Sequence, residues 1–190
     1  MIIASKKRKE NIAEYLLYMW QIEDIIRANS LDMDLITRNV IDRHGLTPEQ
    51  RRDMTGWYES LVDMMRREDV TERGHLQLNK NVIIQLVDLH QALLKGPRFA
   101  QYTASFYKTL PYIVELRGKA GGTPAGEIET CFNALYGTLL LRLQGKEISA
   151  DTQQAITQIS QFIALLAHYF KLNEEKDLFA PNDNTDNNHH

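Results

Sequence analysis

Apolar residues recur at helical spacing across the chain from residue 6 to residue 172, and nowhere do they alternate strictly or cluster as β-branched runs. That period puts a buried stripe on a cylinder and leaves nothing to seat a sheet, so the fold is all-α. Breaks divide the pattern into helices over 6–29, 32–42, 48–69, 78–95, 98–117, 125–144 and 150–172. Gly45, Gly74, Gly96-Pro97 and Gly145 are the stops. Thr47-Pro48-Glu49 reads as an N-cap, a first-turn proline and a dipole-favoured acid, and Ser149 caps the last helix. Pro111 falls inside the fifth helix and should kink it rather than divide it. Short connections between long helices predict an antiparallel bundle of six to seven helices.

With 190 residues, 43% of them hydrophobic, the chain can bury one core, and we assign it to residues 1–172. The stretch 118–126, with Gly121-Gly122-Thr123-Pro124, is the longest internal loop and the expected mobile one. The 173–190 tail is acidic and Asn-rich, and 182–190 is expected to be disordered. A net charge of −3 offers no positive field for nucleic acid or an anionic membrane. The basic groups at 6–9, Arg51-Arg52 and Arg66-Arg67 have acidic neighbours and read as solvated faces. No apolar run reaches membrane-spanning length and no signal-peptide core follows the N-terminus, so a cytoplasmic chain is expected. The single cysteine, Cys131, lies in an apolar helical run and reads as a buried structural thiol.

The chemistry lies in charges that project inward. The first helix is apolar over roughly two thirds of its circumference, through Ile12, Ala13, Tyr15, Leu16, Leu17, Met19, Trp20, Ile22 and Ile26. On the same wheel Glu23 falls between Leu16 and Met19, Asp24 between Ala13 and Trp20, and Arg27 beside Trp20. In the sixth helix Arg142 projects into the stripe of Ile128, Cys131, Leu135 and Leu139. A buried charge without a partner costs several kcal/mol, so Glu23 or Asp24 should pair with Arg27, Arg142 or both. His90 shares a face with Ile83, Leu86, Val87 and Leu94 and reads as a core histidine.

Two further patterns are weak. Glu72-Arg73-Gly74-His75 has the Glu-x-x-His spacing of di-iron bundles, but it occurs once, and that chemistry needs it twice with two further carboxylates. No metal and no cofactor is therefore expected. Arg38 with His44 resembles the Arg-x(4–6)-His pattern of the higher eukaryote and prokaryote nucleotide-binding ribonucleases. That resemblance implies His44 as acid or base and Arg38 as the residue that stabilises phosphorane charge.

The segment ENIAEYLLYMWQIED at 10–24 resembles an uncharacterised family of short bacterial proteins classed as a domain of unknown function. Met64-Met65-Arg66-Arg67-Glu68, Gly74-His75-Leu76-Gln77, Val114-Glu115-Leu116-Arg117, the run EIETCF at 127–132 and LLLRLQGKEIS at 139–149 extend the resemblance to about 1–170. It implies an all-helical protein and carries no activity, cofactor or partner. Three functions are open. The first is a non-enzymatic interaction protein acting as a homodimer through the first or sixth helix. The second is a small-molecule or anion-binding pocket protein or hydrolase with Glu23, Asp24, Arg27 and Arg142 as its polar floor and Trp20 beside it. The third is the ribonuclease.

Overall fold

The computed structural model describes residues 2–120 and 125–180. The expected loop residues Gly121-Gly122-Thr123-Pro124 and the 182–190 tail lie outside them. The described residues form helices only: α1 Ile2–Glu10, α2 Ile12–Ala28, α3 Met33–Asn39, α4 Pro48–Arg67, α5 Gln77–Lys95, α6 Ala100–Ala120, α7 Glu127–Leu143 and α8 Ala150–Lys176. Single 3-10 turns stand at Ile41–His44 and Pro97–Phe99. The architecture is a helical bundle in which α8 packs on α2, α5, α6 and α7, while α2 also packs on α1, α4 and α5.

The local causes are visible at the breaks. The stretch read as one helix over 6–29 is two, because Asn11 adopts an extended conformation and its Oδ1 accepts the Ala13 and Glu14 N–H groups at 3.0 and 3.2 Å. An asparagine side chain can satisfy the orphan donors of a helix start, so an internal Asn can restart a helix that periodicity reads as unbroken. Thr47 and Gln50 form a reciprocal capping box at the head of α4, with Pro48 in the first turn. Gly45, Gly74 and Gly145 take left-handed conformations at the expected stops.

Pro111 does not divide α6, which runs through it. The last helix continues to Lys176, past the boundary expected at 172, and Leu178 beyond it still packs against the core.

The core is continuous along α2, where Ile12, Leu16, Met19, Trp20, Ile22 and Ile26 are all buried. Most of the wide apolar arc of this helix is thus enclosed by its own bundle, with Leu17 partly buried. His90 is buried among Tyr102, Phe106 and Phe162, and its Nδ1 shares a 2.6 Å hydrogen bond with the Tyr102 hydroxyl. It is a satisfied core histidine, and burial holds its pKa below the ordinary value against the opposing pull of Glu127. Cys131 is fully buried, and burial, then the nearby charge of Glu127, push its thiol up to about 12, which keeps it unreactive.

Candidate functional site

The buried carboxylate of Glu23 organises the site. It projects from α2 at 1% exposure and accepts three hydrogen bonds from the start of α5. Oε1 receives the Leu76 N–H at 2.8 Å and the Asn79 Nδ2–H at 2.7 Å, and Oε2 receives the His75 Nδ1–H at 2.6 Å.

The reason lies in the sequence of α5. Its N-cap position is Leu76, which has no side chain able to accept from the first turn. The missing acceptors come from elsewhere: Glu23 for Leu76 and the exposed Glu68 for the Gln77 N–H at 2.6 Å. Two carboxylates at a helix N-terminus are also favoured by its dipole.

One turn beyond Glu23, Arg27 fixes the loop leading to His75. Its Nη1 pairs with Asp24 at 2.9 Å, and Nη2 donates to the Val70 carbonyl at 3.1 Å and to the Gly74 carbonyl. Asp24 in turn accepts from the Tyr136 hydroxyl on α7 at 2.6 Å. Burial, and then this bond to a carboxylate, raise the pKa of Tyr136. The loop between α4 and α5 is therefore pinned at Val70, Gly74, His75 and Leu76 by two side chains of one helix.

His75 is half-buried and stacks on the Trp20 indole, with ring centroids 4.1 Å apart and planes 12° from parallel. Tyr136 and Phe132 meet the same indole edge-on. With Nδ1 bonded to Glu23, the tautomer that carries its hydrogen on Nδ1 presents an acceptor at Nε2, and Nε2 has no partner among the described residues. The His75 ring lines a cleft of about 330 Å³ together with Trp20, Asn79, Ile83, Ile84 and Glu129. Lys80 also reaches its wall, and neither Lys80 nor Glu129 forms an ion pair among the described residues. Behind that wall, the buried Trp20 Nε1 and Asn79 Oδ1 have no hydrogen-bond partner among the described residues.

The structure brings Trp20, Glu23, Asp24 and Arg27 together, as their wheel positions require, and forms the Asp24–Arg27 pair. Arg142 is a correction: it is exposed in the last turn of α7 and donates to Gln153 at 2.9 Å, on α8. A wheel gives the direction of a side chain and not the depth of its turn, and α7 leaves the packed region before Arg142. Arg38 and His44 are both exposed, and Arg38 Nε donates to the Asp34 carbonyl of its own helix at 3.3 Å. Glu72 is exposed and is not the carboxylate that meets His75.

The residue that sequence reasoning missed is His75, considered only with its local neighbour Glu72. Among the described residues no group of three or more His, Cys, Asp or Glu side chains is placed to hold a metal, and no helix is long and apolar enough to cross a membrane.

In the comparisons with curated proteins and with solved structures, nothing matches. The model of a family described as Domain of unknown function (DUF4924) matches residues 1–177, and the chain belongs to that family.

Proposed function

We propose that this protein binds a small polar ligand in the cleft beside Trp20 and His75, with His75 Nε2 as its anchor. The observation that carries the reading is the Glu23–His75 bond: a carboxylate at 1% exposure fixes which edge of a half-buried imidazole faces outward. An imidazole held in this way accepts a hydrogen bond in a defined direction without first losing ring freedom. The cleft volume falls in the range of small-molecule sites, and its mixture of Ile83 and Ile84 with a few polar groups suits an amphipathic ligand.

The same pairing of carboxylate and imidazole is able to take a proton from a bound hydroxyl. The residues lining the cleft include no Ser, Thr or Cys, and the reading made of it is binding.

The test is a ligand-observed NMR screen of hydroxylated and carboxylated fragments against the full chain. Two variants serve as controls: Ile84→Trp fills the cleft from an exposed position, and His75→Phe keeps an aromatic ring on Trp20 while removing Nε2. Hits on the wild type should weaken by about tenfold or more in both variants, a difference of about 1.4 kcal/mol. A screen with no hits, or hits that bind Ile84→Trp as well as the wild type, overturns the reading.

A further inference from the structure

The outward face of α6 is apolar where a one-sided bundle helix should be polar. Tyr102, Phe106, Thr109 and Ile113 point into the bundle, while Ala104, Tyr107, Pro111 and Val114 are exposed, Tyr107 at 62% and Val114 at 59%. The exposed four follow one another at steps of three and four, the spacing that holds a single stripe along a helix and forms the seam of a paired coil. Gly118 continues the same stripe, and a Cβ built there meets nothing within 4 Å.

Charge identifies the occupant. Lys108 and Glu115 flank the stripe on one side, two turns apart and opposite in sign. Lys108 has no ion-pair partner among the described residues, and Glu115 is held only by the exposed Lys119 of its own helix at 2.6 Å. When two copies of one helix pack antiparallel about a two-fold axis, flanking positions on the same side face their equivalents across the axis. A lysine and a glutamate so placed complement themselves.

We propose that α6 pairs antiparallel with α6 of a second copy of this chain, in the register that sets Lys108 against Glu115 of the partner subunit. The axis then makes this contact twice. The register shifted by one heptad would set Lys108 against Lys108 of the partner subunit. With the register chosen by charge alone, Pro111 meets Val114 of the partner subunit and Tyr107 falls on Gly118 of the partner subunit. The largest exposed side chain of the stripe thus lies over the stripe's only position without one. Size agrees with charge although neither was used to set the other.

The test is the mass of the full chain by light scattering and sedimentation at low salt, from about 1 to about 200 µM, a range that covers weak standard-sized interfaces. The wild type should shift from monomer to dimer within it. Lys108→Glu and Glu115→Lys should each weaken the dimer by about tenfold, because each replaces two attractions with two repulsions. The double variant K108E/E115K should return to within about threefold of the wild type. Gly118→Gln, which favours helix and meets no neighbour in the single chain, should also lower dimerisation, while circular dichroism stays unchanged. A wild type monomeric throughout, or single swaps that dimerise like the wild type, overturns the proposal.

Discussion

At the scale of single residues, the two instructive side chains are histidines with opposite settings. His90 was legible from its helical face, because an apolar stripe predicts burial whatever the partner is. Its bond to Tyr102 and the rings of Phe106 and Phe162 then follow from packing. Burial disfavours the charged imidazole, so the folded chain binds a proton there less readily than the unfolded chain, whose histidine titrates near about 6.5. Between the lowered folded value and about 6.5 the unfolded state holds more protons. The contribution is therefore complete above about 6.5 and is lost as pH falls through the folded value. The melting temperature should drop from pH 7 to pH 5, and His90→Gln, though less stable overall, should show a flatter slope over that interval in scanning calorimetry. An unchanged slope would remove His90 as the cause. His75 was not legible from its own neighbourhood, because the carboxylate that orients it lies on α2 and only tertiary packing brings the two together.

At the scale of elements, the breaks with their own chemistry were readable and those that borrow it were not. Thr47, Pro48 and Gln50 announce α4, and Ser149 announces α8, because each cap is local. Asn11 escaped notice because it caps in the middle of an otherwise unbroken apolar pattern. For α5 the signal was an absence: Leu76 in the cap position leaves donors unmet, while Glu23 on a buried stripe leaves acceptors unmet. These two deficits, read together, point at each other. Arg142 was misplaced for the complementary reason, since its stripe is real but its turn lies beyond the packed part of α7. The borrowed cap makes a firm prediction. Glu23→Met keeps much of the side-chain length but removes both acceptor oxygens, leaving the Leu76 N–H and the Asn79 Nδ2–H without their partner, and should cost about 2–4 kcal/mol in urea unfolding. A loss below about 0.5 kcal/mol would mean that the carboxylate does not hold α5.

At the scale of the whole molecule, the fold class and the run of helices followed from period alone, whereas the site required contacts between segments far apart in the chain. Periodicity specifies which face of a helix is inside, and it is silent on which other helix that face meets. The Glu23 bonds to Leu76 and Asn79 join the beginning of the bundle to its middle, and Tyr136 with Asp24 joins the same place to α7. First-turn amides of a helix ordinarily trade deuterium with solvent within moments, having no carbonyl one turn back to shield them. The Leu76 amide points instead into a carboxylate sealed between α2 and α5, so isotope should enter it only when the entire molecule opens. Its exchange should be as slow as that of the innermost amides of α8, while the neighbouring Gln77 amide, covered only by the exposed Glu68, exchanges orders of magnitude sooner.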